Sequence, residues 1–143
     1  MSAEPAAALR TLASLLRGEA TPISAHVVEP SEEPTLGPIA AAGPGAAADP
    51  GEYALVVETV REGYLLHYGE PRLLAGCDPD LALLAGDYLY ALGLERLTAR
   101  GDDRAVAVLS ELISACAQRH AEGRAASVPG LWDKAARAVG GIS

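Results

Sequence analysis

The chain has no phenylalanine, and aromatic residues make up only 4% of its 143 residues. The hydrophobic core must therefore be built from Leu, Val and Ala, which supply most of a hydrophobic content of 50%. Basic residues are also scarce: 11 Lys and Arg stand against 19 Asp and Glu, which gives a net charge of −8. Nucleic acids and anionic membrane surfaces require clustered Lys and Arg, so we expect neither as a partner.

Cysteine is limited to Cys77 and Cys116, which have no metal-binding spacing. Two such thiols are typical of a reduced protein, although the sequence leaves a disulfide open. The N-terminus has no basic region followed by an apolar run, so no secretion signal is expected. The longest apolar-rich stretch, 78–100, contains Asp87 and Glu95, which argues against a transmembrane segment. We therefore expect a cytoplasmic protein.

The spacing of apolar residues predicts three core helices and a short last helix, at 52–68, 78–100, 102–122 and 129–139. The helix at 78–100 has the clearest ends, with a capping Asp78 before Pro79 and Gly101 after it. Its Leu and Tyr residues occupy more than one narrow stripe, so it should be buried on most sides. We predict an all-α fold, a small helical bundle with this helix at its centre. A core of this size is marginal alone, so an oligomer is expected.

The first fifty residues are expected to form an extension to a helical domain at 51–143. Four leucines at helical spacing predict an amphipathic helix at 3–16, within an N-terminal segment 1–18. That helix either packs on its own domain or docks on a partner. Six prolines lie between residues 21 and 50, and proline interrupts both helices and strands. The Pro/Gly/Ala-rich segment 19–50 is therefore predicted to be a flexible linker without stable helix.

Several short sequences resemble one family, in the same order along the chain. Residues 84–89, LAGDYL, resemble a helix of the trans-isoprenyl diphosphate synthases, the polyprenyl synthetase family. Residues 65–67, LLH, are similar to the start of that family's first aspartate-rich motif, and residues 100–102 and 120–123 resemble the ends of its next helix. The resemblance covers 53–124. It implies that the bundle corresponds to the central part of the isoprenoid synthase fold.

The chain departs from the family at the residues that carry its chemistry. In the family, aspartates after LLH hold Mg²⁺ ions that bind a diphosphate, and the matching positions here are Tyr68, Gly69 and Arg72. None of these side chains offers a carboxylate, and the second aspartate-rich motif does not occur in the sequence. The resemblance therefore implies a degenerate, truncated relative or pseudoenzyme, for which we expect no catalytic residue, no metal and no cofactor.

We therefore expect a non-catalytic accessory or regulatory subunit, which associates through its helices with itself or with an isoprenyl diphosphate synthase. Two alternatives remain: a small helical dimer that binds an apolar or isoprenoid ligand, and an unrelated helical scaffold. The interaction candidates lie on the predicted central helix and its neighbours: Leu84, Asp87, Tyr88, Leu92, Tyr64 and Leu109. Asp87 lies within an apolar helix, so we expect a buried carboxylate. It either bonds to a neighbouring helix end or to a Tyr or Arg, or makes a polar contact at a subunit or ligand surface.

One further set of polar residues and one single histidine could each have a role in binding or in the fold. His67, Glu70, Cys77 and Asp78 bracket a loop and could bind a transition metal, but their spacing matches no established site. His120, near the end of a predicted helix, is expected to interact with the negative end of the helix dipole.

Overall fold

A computed structural model describes residues 4–142, which form six α-helices. The helices are α1 (Ala8–Gly18), α2 (Leu36–Ala41), α3 (Pro50–Tyr68), α4 (Pro79–Ala99), α5 (Asp103–Ala121) and α6 (Val128–Val139). The all-α prediction is confirmed, and the four helices predicted after residue 50 end within two residues of α3 to α6. The predicted first helix was to begin at residue 3, which lies outside the described residues.

Helix α3, and not α4, is the centre of the molecule. It packs against α1, α2 and α4, and its Val56, Val60 and Tyr64 share a core cluster with residues of α5 and α6. Helix α4 buries only small residues and two leucines, which are Ala85, Gly86, Leu89, Gly93 and Leu97. The expectation that the helix at 78–100 is buried on most sides is therefore wrong. Its leucines are spread around the helix, but a neighbouring helix covers only part of its circumference.

Glycine allows α3 and α4 to pack closely. A Cβ atom on Gly63 of α3 would lie 2.8 Å from the carbonyl oxygen of Gly86 on α4. A Cβ atom on Gly86 would collide with the ring of His67, and one on Gly93 with the side chain of Val60. Gly86 of the LAGDYL sequence is thus required by the helix crossing itself, and Ala85 and Leu89 of the same sequence are buried.

Helix α2 lies within the segment that was expected to be a linker without helix, and that expectation is wrong for residues 36–41. Pro38 is the third residue of α2, Pro44 begins a 3-10 turn, and Pro50 begins α3. A proline in the first turn of a helix removes an N–H that has no partner inside the helix. These prolines therefore start helices. Gly37, one of the buried residues of α2, lies against Ala54 of α3.

Helix α1 packs on the rest of the chain. Leu9, Leu12 and Leu16 are fully buried, in a core cluster that also contains Leu55 of α3 and Leu89 of α4. The N-terminal helix was expected either to pack on its own domain or to dock on a partner, and in the structure α1 packs on its own domain.

A buried ionic network ties the loop after α3 to the middle of that helix. Arg72 Nη1 lies 2.6 Å from Glu58 Oε1, and Arg72 Nε lies 3.0 Å from Glu62 Oε1. The other oxygen of each carboxylate accepts backbone N–H groups, from Gly37 to Glu58 and from Arg72 and Leu73 to Glu62. Burial lowers the pKa of Arg72, but the two carboxylates outweigh it and raise that pKa. Every carboxylate oxygen has a donor, as two buried charges require.

Both cysteines are free thiols. Cys116 is buried in the core beside α6, and burial raises the pKa of its thiol despite the nearby charge of Arg61. Cys77 is half-buried in the loop before α4, where burial and the charge of Asp78 raise its pKa. None of the helices in residues 4–142 has both the length and the hydropathy needed to cross a membrane.

Candidate functional site

An apolar groove lies between α4 and the chain that follows α1. Its volume is about 190 Å³, and its lining residues come from two short segments, Thr21, Pro22 and Ile23 on one side and Leu81, Leu84, Ala85 and Tyr88 on the other. Ile23 and Ala85 are buried at its base. The groove is therefore formed where the chain after α1 turns along α4 and leaves part of that helix uncovered.

Helix α4 has large apolar side chains on the face turned away from α3 as well as on its buried face. Ala85 and Leu89 point toward the core, whereas Leu84 is 67% exposed and Tyr88, one turn later, is 37% exposed. Of the five large apolar side chains that are exposed in residues 4–142, three belong to α4. Exposed apolar side chains are normal when scattered. Two of the three on α4, Leu84 and Tyr88, are one turn apart and both line the groove, and we refer to these two as the exposed patch of α4.

Carboxylates surround this patch. Asp80, Asp87 and Glu95 are exposed along α4, and Glu19 accepts a hydrogen bond of 2.7 Å from the hydroxyl of Tyr88. Burial, this hydrogen bond and the charges of Glu19 and Glu95 raise the pKa of Tyr88 to about 12. We refer to Asp80, Asp87, Glu95 and Glu19 as the acidic rim.

The basic side chains nearest the rim in sequence are already paired. Arg96 of α4 donates two hydrogen bonds to Glu52, at 2.7 and 2.8 Å, and Arg17 lies 2.6 Å from Glu29. The acidic rim therefore keeps a local excess of negative charge, in agreement with the net charge of the whole chain.

Asp87 belongs to this rim and not to the core. Its side chain is 72% exposed, so the prediction of a buried carboxylate is wrong. Its carboxylate lies 3.3 Å from His67 Nε2, which is also 3.0 Å from the carbonyl oxygen of Leu83. The error has a simple cause, because the apolar residues before and after Asp87 lie on both faces of α4 and only one of these faces is covered.

Three other predicted interaction residues are buried or partly buried. Leu109 is fully buried, and Leu92 is partly buried against the cluster that contains Leu89. The Tyr64 side chain is buried, and its ring lies edge-on to Trp132 with centroids 5.4 Å apart. Among the six predicted interaction residues, Leu84 and Tyr88 line the groove, and Asp87 is exposed on the same helix beside His67. Leu92, Tyr64 and Leu109 take part in packing.

A group of rings that the sequence did not reveal lies at the C-terminal end of α5. His120 stacks on Tyr68 with centroids 4.0 Å apart, and its Nε2 lies 2.7 Å from the Tyr64 hydroxyl. His120 is in the last turn of α5, as expected for a partner of the helix dipole. Burial raises the pKa of Tyr64. These rings join α3 to α5 across more than fifty residues, so no local spacing could have indicated them.

The groove also contains residues that the sequence analysis missed. Thr21, Pro22 and Ile23 were assigned to the linker, and no local pattern indicated that they would fold back onto α4. Within the described part of the chain, no three His, Cys, Asp or Glu side chains are grouped so that they could hold a metal ion. That includes the loop with His67 and Cys77.

Comparisons with known proteins found no relative of this chain. The chain matches no family of known proteins, no curated protein and no solved structure. The features of the molecule that indicate a function are therefore the groove, the exposed patch of α4 and the acidic rim.

Proposed function

We propose that this protein is a non-catalytic accessory protein, which binds a protein partner through the exposed face of α4. The observation that supports the proposal best is the exposure of Leu84 and Tyr88 beside an apolar groove. Fully burying an exposed leucine contributes about 1.5–3 kcal/mol, and Leu84, which is 67% exposed, leaves the larger part of that amount to be gained. A partner that covers the patch recovers this free energy.

The resemblance to isoprenyl diphosphate synthases suggests the first partner to test. Three outward-facing residues of the LAGDYL sequence, Leu84, Asp87 and Tyr88, belong to the patch or its rim. At the positions where the family has metal-binding aspartates, Tyr68 stacks on His120 and Arg72 is held by two glutamates. These contacts support an accessory role over a prenyltransferase activity.

A ligand-binding role is the second candidate, because the groove is apolar. Its volume of about 190 Å³ is smaller than the roughly 300–1,000 Å³ of clefts that hold organic ligands. The acidic rim would also repel a diphosphate, and no unpaired Arg lies among the residues that line the groove. The groove accommodates one or two side chains of a partner better than it accommodates a prenyl diphosphate.

The test is the absolute mass of the protein in solution, measured by light scattering. The purified chain is measured alone and after mixing with a full-length isoprenyl diphosphate synthase from the same genome. We expect a heteromeric species with the natural chain and none with Leu84→Glu. Val28→Glu, which also replaces an exposed apolar side chain away from α4, is the matched control and should still associate.

Two outcomes would contradict the binding part of the proposal, and a third would contradict its non-catalytic part. In one, the natural chain forms no species with the synthase. In the other, Leu84→Glu associates as well as Val28→Glu does, which would mean that the exposed face of α4 takes no part. Condensation of isopentenyl diphosphate with an allylic diphosphate by the purified chain alone would contradict the non-catalytic part.

A further inference from the structure

We infer that the segment that binds the exposed face of α4 is a basic amphipathic helix, with Leu-like side chains that enter the groove and Arg or Lys on both sides of them. This inference rests on the proposed function, because it describes the partner of the same surface. It adds a chemical identity: a positively charged helix, and neither a second copy of this chain nor an anionic lipid or diphosphate.

The exposed residues of α4 are spaced as one face of a helix. Asp80, Leu84, Tyr88, Ala91 and Glu95 follow one another at intervals of three or four residues, and all five are exposed. At a rise of about 1.5 Å per residue, the face from Asp80 to Glu95 is about 22 Å long. That length matches about four turns of a partner helix, and an apolar strip such as Leu84, Tyr88 and Ala91 at its middle is a common binding site for the apolar face of a helix.

The side chains along this face are apolar at its middle and acidic at its ends. The carboxylates of Asp80 and Glu95 lie at its two ends, Asp87 lies on one side of Leu84 and Tyr88, and Glu19 lies at the Tyr88 hydroxyl. The apolar patch thus has a carboxylate beyond each end, one beside it on α4 and one at the Tyr88 hydroxyl. Complementary potentials favour a partner with positive charge on both sides of its apolar anchors.

A second copy of the chain fits this surface poorly. A symmetric dimer brings the same patch of both subunits together. If two α4 helices packed antiparallel, Asp80 would approach Glu95 of the other copy, and Asp87 would approach its own equivalent. Like charges placed opposite one another in an interface disfavour association. The acidic rim therefore selects against self-association through this face.

The test uses two synthetic helical peptides of about 18 residues that share the same leucines and carry a fluorophore. One has Arg at the flanking positions and the other has Glu. Each is titrated with the full chain, and fluorescence anisotropy gives the affinity at about 50 mM and about 300 mM NaCl. We expect the Arg peptide to bind at least about tenfold more tightly than the Glu peptide at low salt, and to weaken at high salt.

Matched variants distinguish the rim from the overall charge. The rim variant is Asp80→Asn with Asp87→Asn and Glu95→Gln, and the control is Asp103→Asn with Glu111→Gln and Asp133→Asn. Both remove three exposed carboxylates, including one from the first turn of a helix. The rim variant should bind the Arg peptide about five- to tenfold more weakly with little dependence on salt, and the control should change affinity less than about twofold.

The possible failures have different meanings. Equal affinity for both peptides, with both lost in Leu84→Ser, would overturn the charge inference while leaving a docking face on α4. An equal loss of affinity for the Arg peptide in the rim and control variants would mean that binding depends on overall charge alone, and it would also overturn the charge inference. So would a failure of both peptides to bind, or Arg-peptide binding that Leu84→Ser does not change. Mixing the chain with the synthase still judges the proposed function separately.

Discussion

Gly63 of α3 faces Gly86 of α4 so closely that a Cβ atom on Gly63 would lie 2.8 Å from the Gly86 carbonyl oxygen. A Cβ atom on Gly86, in turn, would lie 2.9 Å from the Gly63 carbonyl oxygen and would collide with the His67 ring. This reciprocal contact sets the distance between the two helices. It also determines which side of α4 is left for a partner, because the glycine face is the one turned inward.

The first prediction concerns this helix crossing. Gly86→Ala should destabilise the protein by about 1–3 kcal/mol, because the new methyl group overpacks a contact between backbones. The matched control is Gly130→Ala in α6, where a Cβ atom meets nothing within 4 Å. That change should stabilise the protein by about 0.5–1 kcal/mol, since Ala is the better helix former. Urea unfolding measures both, and equal midpoints for the two variants would contradict the packing of α3 on α4.

The second prediction concerns the buried ionic network. Arg72→Met leaves Glu58 and Glu62 buried without their cation, and should cost about 3–5 kcal/mol. The control is Arg137→Met, which breaks a pair with Asp133 in which both side chains are about half exposed. That pair should contribute no more than about 1 kcal/mol. The measurement is the free energy of unfolding in urea at neutral pH, and a loss for Arg72→Met no larger than the control's would mean that the network is not buried in solution.

The third prediction concerns the dependence of stability on pH at the start of α5. Burial raises the pKa of Asp102, but hydrogen bonds from the Tyr53 hydroxyl and the Ala105 N–H, with nearby Arg charges, outweigh it and lower that pKa below its ordinary value of 3.8. A lowered pKa in the folded state stabilises the protein above the unfolded value, and this contribution is lost as the pH falls through the folded value. Asp102→Asn keeps a good helix cap but removes the charge.

We therefore expect Asp102→Asn to be less stable than the natural chain at neutral pH, with a difference that shrinks below about pH 4. Urea midpoints measured between neutral and acidic pH provide the test. The control is Asp103→Asn, which removes an exposed carboxylate from the same turn. A constant difference between Asp102→Asn and the natural chain at all pH values would exclude the linkage.

The fourth prediction tests the orientation of α4. Leu84→Ala should change the free energy of unfolding by less than about 0.5 kcal/mol, because the side chain is 67% exposed. Leu89→Ala should cost about 2–5 kcal/mol, because that leucine is fully buried among α1, α3 and α4. Thermal or urea unfolding of both variants is sufficient. A larger loss for Leu84→Ala than for Leu89→Ala would mean that the opposite face of α4 is the inner one.

The sequence predicts the positions of the long helices well, because capping residues and apolar spacing act locally. Asp78 caps α4 by accepting the Leu81 N–H, and Asp102 caps α5 by accepting the Ala105 N–H. Both caps are readable from the chain as acidic residues that precede an apolar run. Helix limits of this kind depend on a few neighbouring residues and not on the rest of the fold.

Which helix is the most buried could not be predicted from local patterns in the same way. Helix α3 is buried on nearly all sides although Glu58 and Glu62 interrupt its apolar pattern, because a distant Arg72 neutralises them. Helix α4 is more apolar, yet one of its faces remains exposed. The prolines in and near α2 were interpreted as residues that interrupt helices. In the structure they lie in the first turns of helices, where proline is favourable. These outcomes depend on contacts between residues far apart in sequence.

The positions of the two free thiols make them chemical reporters of how the molecule opens. Cys116 is buried in the core cluster that includes Trp132 of α6 and Tyr64 of α3, so an alkylating reagent can reach it only when this cluster opens. Cys77 lies half-buried in the loop that Arg72 ties to α3, so it reacts slowly in the folded protein, and a faster reaction reports the opening of that loop. Hydrophilic maleimide labelling of single-cysteine variants would thus time two separate openings in one small protein, without any foreign probe on the face that we assign to the partner.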